Sequence, residues 1–136
     1  NLSGYILQTA LAETFTLGVK AGLDAESLWS AVRAGAVGRM RTFDNLTRNY
    51  LSGSFDPPSF ALSLAHKDVT LAVELARELD VPMQLGETTL AEMTAALDRG
   101  WAGRDSRSAM LLQEERAGVE VRVPADRTTE IIRDQT

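Results

Sequence analysis

Apolar positions recur every three to four residues along most of this chain, a spacing that predicts helices rather than strands. Residues 2 to 20 contain no proline and are apolar nearly all round, with Glu13 and Lys20 the only charges. A helix of that kind expects burial on most sides. Gly4 and Gly18 would let a neighbour come close, and Gly22 suits its stop. Asp24 is placed to cap a second helix that runs to about Ala34. Gly35 and Gly38 punctuate the chain before a third helix, from about Arg39 to Leu51. Ser52 to Pro58 is a loop by composition. A central helix from about Ser59 to Leu79 stops at Asp80-Val81-Pro82, because the residue before a proline avoids helical geometry. Two more helices follow, one from about Leu85 to Arg99 before Gly100, one from Asp105 or Ser106 to about Ala117 before Gly118. Val119 to Val123 alternates like a strand but has no partner strand in view, so it reads as an extended tail, with a short helical turn after Asp126. Helices joined by short loops imply an all-α, compact multi-helix domain.

Composition narrows the function classes. A chain of 136 residues suits one domain with one core, and 44% hydrophobic with 24% charged residues is an ordinary globular balance. The net charge of −5, with fourteen basic residues scattered among nineteen acidic ones, argues against a nucleic-acid partner. There is no cysteine and one histidine, so no thiolate or zinc site is expected and the metal expectation is none. No apolar run approaches the ~20 residues of a membrane span, and no signal peptide is visible, so the expected location is cytoplasmic. The chain begins at Asn1 with apolar residues directly after it, which reads as a cut inside a helix and predicts that it is a fragment of something longer.

The central helix carries the chemistry. At about 100° per residue, Leu64, Leu71, Leu75 and Leu79 fall on one face with Ala61, Ala65, Ala72 and Ala76, and this face is the expected core side. Asp68 lies inside that stripe, where a carboxylate needs a partner. Phe60 and Lys67, seven residues apart, share its edge, whereas His66 and Val73 point the other way, His66 as an ordinary surface residue. Three readings stay open for Lys67 and Asp68. They are a structural carboxylate beside a snorkelling lysine, a lysine facing a cleft and holding a polar or anionic ligand, or an interdomain salt bridge.

The run from Phe60 to Ala72, Phe-x-Leu-x-Leu-x-x-Lys-Asp-x-x-Leu-Ala, with Val81-Pro82 after the helix, resembles the C-terminal domain of the β-hydroxyacid dehydrogenases. These are the 3-hydroxyisobutyrate dehydrogenase and tartronate semialdehyde reductase type of enzyme, related to 6-phosphogluconate dehydrogenase. Ala12-Glu13 with Lys20-Ala-Gly-Leu-Asp24, Gly53-Ser-Phe-Asp-Pro-Pro-Ser-Phe60 and Asp105-Ser-Arg-Ser-Ala109 are similar to further stretches of that family, in the same order. The resemblance covers residues 1–124 as a helical C-terminal domain, and residues 125–136 read as a C-terminal extension. It implies a fold like the 6-phosphogluconate dehydrogenase C-terminal domain. It also implies NAD or NADP as cofactor, bound mainly by an N-terminal Rossmann domain absent from this chain, which has no Gly-x-Gly-x-x-Gly after a strand.

By the same resemblance, Asn1 matches the second asparagine of a Lys-x-x-Asn-Asn run and would help hold the substrate, with the proton-transferring lysine four residues upstream of it. Lys67 would reach the cofactor near its nicotinamide end, Phe60 would line the same cleft, and Asp68 would support them. The implied partners are a small hydroxy-acid substrate, the Rossmann domain of the same protein and a second copy in a homo-oligomer; the isolated chain should be inactive. Gly35-Ala-Val-Gly-Arg-Met40 departs from the family pattern, and Arg39 and Arg41 there could meet an anion or be solvated. Two other readings are carried alongside: a non-catalytic dimerisation module built on the apolar first helix, and the equivalent domain of an imine-reductase-like enzyme.

Overall fold

The computed structural model describes residues 1–35, 38 and 40–134, without the side chains of Arg41 and Asp134. Its helices are α1 (Leu2–Lys20), α2 (Ala25–Ala34), α3 (Arg41–Asp44), α4 (Leu62–Glu78), α5 (Gln84–Asp98), α6 (Leu111–Ala117) and α7 (Ala125–Asp134), with 3-10 turns at Asn45–Arg48 and Ser106–Met110. Among the described residues there is no strand, only an isolated antiparallel bridge between Ala61 and Asp105. The all-helical expectation holds.

Helix boundaries follow local chemistry where that chemistry is strong. Asp24 caps α2 by accepting from the Ser27 N–H at 2.9 Å. Gly22 after α1, at φ +94°, and Gly118 after α6, at φ +65°, take the left-handed conformation that ends a helix. Two expected helices are broken. The one from Arg39 to Leu51 shrinks to α3 and a 3-10 turn. There Thr47 Oγ1 donates to the Asp44 carbonyl, Ser52 Oγ to that of Arg48 and Asn49 Nδ2 to that of Ser54. Short polar side chains offer the backbone an alternative to the helical ladder, and the tighter path still buries Phe43, Leu46, Tyr50 and Leu51 completely. The last long helix likewise splits into a 3-10 turn and α6. Arg39 and the Arg41 side chain, candidates for meeting an anion, lie outside the described residues.

Two core clusters share α1. One gathers Leu11, Ala12 and Phe15 with Trp29 of α2, Phe43 and Leu46. Its centre is a stack in which Phe43 lies 6.1 Å from Phe15 and 5.9 Å from Trp29. Val121 and Val123 bury their side chains against this cluster, so residues 119–123 form an extended strap pinned by the Val123 N–H to the Leu51 carbonyl at 3.0 Å. Beyond it, residues from Ala125 form a ten-residue helix rather than one turn, held to α2 by an Arg127–Glu26 ion pair at 2.7 Å. The other cluster packs Tyr5 of α1 with Leu62, Ala65, Val69 and Val73 of α4, Met93 and Ala96 of α5, and Leu112. The close approach expected of α1 glycines occurs at Gly18, where a Cβ would stand 2.5 Å from Leu28 Cδ2; at Gly4 nothing lies within 4 Å.

The buried face of α4 corrects the sequence expectation. Leu64, Leu71, Leu75 and Leu79 are 48%, 57%, 55% and 64% exposed, whereas Leu62, Ala65, Val69, Val73 and Ala76 face the core. Both stripes are apolar, so periodicity alone does not choose between them. The small and β-branched row lets α4 lie close along α5, and the leucine row is left outside. Val73, expected to point away, is fully buried. His66 is half-buried, with Nε2 2.9 Å from Thr94 Oγ1.

Candidate functional site

The start of α1, the approach to α4 and the 3-10 turn after Asp105 converge on one open cavity of about 390 Å³. Asn1, Tyr5, Asn45, Ser59, Phe60 and Arg107 are among its lining residues. That volume lies in the range of small-ligand sites.

Asn1 and the Lys67-Asp68 pair, far apart in sequence, form a continuous polar chain. Asn1 Nδ2 donates to Asp68 Oδ2 at 2.8 Å, and Asp68 Oδ1 is 3.2 Å from Lys67 Nζ. These two hydrogen bonds, the Asn1 one first, hold the Asp68 carboxyl below the ordinary aspartate value of 3.8. Asp68 is thus an ion that orients the Asn1 amide. The Lys67 side chain is 62% exposed and projects from the open side of α4. Its charge is available to a ligand approaching from outside the domain.

Phe60 is not on the helix. It precedes the helix N-cap Ala61, and buried Asp105 holds its backbone. Asp105 Oδ2 accepts from the Ser59 and Phe60 N–H groups at 2.9 and 3.3 Å, and the Ser106 N–H donates to the Phe60 carbonyl at 2.9 Å. The Phe60 ring stays 37% exposed at the cavity. Asn1 and Phe60 share the cavity, and Lys67 is linked to Asn1 through Asp68.

Sequence reasoning passed over Tyr5, Asp105 and Arg107 as site residues. Tyr5 lies one turn after Asn1 on α1, a spacing that could have flagged it. Burial and then the Asp68 charge push its phenol up to about 12, so it is a neutral donor at physiological pH. The sequence places Asp105 or Ser106 at the start of the last helix, and Asp105 does accept from the Arg107 N–H at 3.1 Å. Its second role, fixing Phe60, depends on a contact no local pattern displays.

Among the described residues no group of three His, Asp or Glu side chains could hold a metal ion, and no helix is long and apolar enough to cross a membrane. The described residues carry no glycine-rich strand-to-helix turn to cradle a pyrophosphate.

Residues 4–113 match the family model described as NAD-binding of NADP-dependent 3-hydroxyisobutyrate dehydrogenase. The chain is 30% identical over 100 residues to the L-threonate dehydrogenase of Escherichia coli strain K12, covering 74% of this chain and 32% of that protein. It is 34% identical over 117 residues to the 2-(hydroxymethyl)glutarate dehydrogenase of Eubacterium barkeri, covering 82% of this chain and 37% of that protein. In three dimensions it is similar to the crystal structure of a 3-hydroxyisobutyrate dehydrogenase from Salmonella typhimurium. The TM-score is 0.73 at 25% identity, over 82% of this chain and 38% of the other. The chain thus spans about a third of the length of the curated relatives it matches.

Proposed function

We propose, for a chain that belongs to the NAD-binding domain family of NADP-dependent 3-hydroxyisobutyrate dehydrogenase, that it forms the helical wall of the active-site cleft in an NAD(P)-dependent oxidoreductase of short hydroxy acids. The cofactor class, NAD or NADP, follows from the family. The observation that carries the reading is the Asn1–Asp68–Lys67 chain beside the cavity that Asn1 and Phe60 line.

When bound, the cofactor supplies hydride transfer. The residues of this chain position and screen. Asn1, its amide held by Asp68, hydrogen-bonds the substrate oxygen. Lys67 and Phe60 would hold the nicotinamide end of the cofactor, Lys67 as a hydrogen-bond donor to its polar atoms and Phe60 by its exposed ring. Tyr5 closes the cavity floor behind Asn1. In this reading the chain is the C-terminal domain, residues 1–124 with the extension 125–136 docked on α2, and a Rossmann domain of the same protein carries the rest of the cofactor.

The exposed leucines of α4 support a packing partner. A row of four on one helix face is an apolar surface of the kind that marks an interface. The Rossmann domain or a second copy in a homo-oligomer would cover it. The same row favours the second reading, a non-catalytic dimerisation module, although its interface is then α4 rather than α1.

Steady-state kinetics of the full-length protein test the first reading. Lys67→Ala should raise the cofactor KM roughly tenfold, the usual worth of a charged hydrogen bond. Asn1→Ala should lower kcat/KM for the hydroxy acid with the cofactor KM unchanged. Unaltered kinetics in Lys67→Ala would return Lys67 to a structural role. A wild type that binds neither cofactor yet dimerises through α4, and loses the dimer in Leu71→Glu, would establish the second reading.

A further inference from the structure

One guanidinium at the cavity, paired with Asp105, has no part in the roles given to Asn1, Phe60 and Lys67. Arg107 is the one described residue lining the cavity with a charged side chain, and that side chain is only 12% exposed. Its bonds come from Nη1 alone, to Asp105 Oδ1 at 3.0 Å and weakly to Asn49 Oδ1 at 3.4 Å. Nε is buried with no partner.

The pair is unevenly satisfied. Asp105 already accepts from the backbone N–H groups of Ser59, Phe60 and Arg107, so its charge is spread over those donors before the guanidinium counts. A guanidinium has five donors in a planar fork, and here most of that fork is unspent. Lys67 is not among the residues that line this cavity. Ser3, Thr42, Asn45 and Ser59 add neutral polar groups to the wall, beside the rings of Tyr5 and Phe60. A planar, partly desolvated guanidinium beside neutral hydroxyls and amides is the arrangement that receives a carboxylate.

We propose that Arg107 is the specificity-determining residue of this cavity, taking a carboxylate on the substrate arm remote from the reacting hydroxyl, so that the favoured substrate is a hydroxy diacid. The inference rests on the dehydrogenase reading for the identity of the reacting end. The anion site itself stands on the geometry of Arg107.

The test compares 2-(hydroxymethyl)glutarate with 3-hydroxyisobutyrate, which has a methyl group where the first has a carboxyethyl arm. Each is assayed on the full-length protein with NAD and with NADP, and glutarate serves as a turnover-independent probe by thermal shift. The wild type should favour the diacid by roughly tenfold or more in kcat/KM. Arg107→Gln should raise the diacid KM roughly ten- to a hundredfold, as for a lost charged hydrogen bond, with kcat and the cofactor KM little changed. Arg107→Lys should fall between. Ser3→Glu, on the exposed rim, sets a like charge against the substrate without touching the Arg107–Asp105 pair. It should reproduce the KM effect even if Arg107→Gln does not fold. Glutarate should raise the melting temperature of the wild type and not that of Arg107→Gln or Ser3→Glu.

A folded Arg107→Gln protein with unchanged diacid KM, or one whose only change is in the cofactor KM, overturns the proposal. Arg107-dependent stabilisation by glutarate without oxidation of either acid supports the anion site and removes the dehydrogenase reading. Turnover without any dependence on Arg107 or Ser3 does the reverse.

Discussion

Replacing Asp105 is the sharpest test of how the site is held. Its carboxylate is fully buried and accepts four hydrogen bonds, at 2.9, 3.3, 3.1 and 3.0 Å, from the N–H groups of Ser59, Phe60 and Arg107 and from Arg107 Nη1. Asp105→Ala strips the counter-charge from a guanidinium that is nearly out of water, which costs about 3–5 kcal/mol for a buried pair. Each orphaned backbone N–H adds up to about 1–3 kcal/mol where water cannot reach it. Against a usual domain stability of about 5–15 kcal/mol, the variant should be close to unfolded. Asp105→Asn also removes the counter-charge and turns an NH₂ toward two of the four donors, but it keeps the shape and one acceptor oxygen, so it should cost about 1–2 kcal/mol less than Asp105→Ala. In the Asp105→Ala background, Arg107→Met should cost less than about 1 kcal/mol, because the guanidinium there has already lost its partner. Urea unfolding followed by far-UV circular dichroism measures all four proteins. A loss below about 1 kcal/mol in Asp105→Ala, or an Asp105→Asn as damaged as Asp105→Ala, refutes this account of the hub.

Other predictions concern α4. Val69→Ala should destabilise by about 2 kcal/mol, two buried methyl groups plus the cavity they leave. Leu75→Ser on the exposed row should change the stability of this chain by less than about 0.5 kcal/mol; the opposite ranking in urea melts would restore the leucine face as the core side. The Asp68 carboxyl, followed by NMR, should titrate below 3.8 and move up toward it in Lys67→Ala or Asn1→Ala. Because the folded value is depressed, the stabilisation from Asp68 is present above about pH 4 and lost as pH falls through the folded value. A wild-type midpoint at or above 3.8 would break the Asn1–Asp68 link.

Local chemistry made much of this chain legible. Glycines at 22, 100 and 118, Asp24 before α2 and Val81-Pro82 after α4 act on their immediate neighbours, so the helix ends they set appear within a residue of where the sequence places them. The failures have a common cause in competition. Between Arg41 and Ser52, helical periodicity competes with the side chains of Thr47, Asn49 and Ser52, and their backbone hydrogen bonds win. Phe60 was assigned to a helix because nothing local reveals the carboxylate, 45 residues later, that holds it in an extended approach.

What the sequence alone determined is the all-helical class and most of the helix ends, the lack of any thiolate ligand, and the residue types at Asn1, Phe60, Lys67 and Asp68. These depend on neighbours within a turn or two, or on composition. The tertiary structure decided which of two apolar faces of α4 is buried. Both the leucine row and the valine-alanine row satisfy the same periodicity, and only the fit against α5 separates them. It also decided that Asn1 meets Asp68, and that Arg107 lines the cavity beside them. Contacts of that kind join helices distant in sequence, and a linear pattern carries no record of the distance between them.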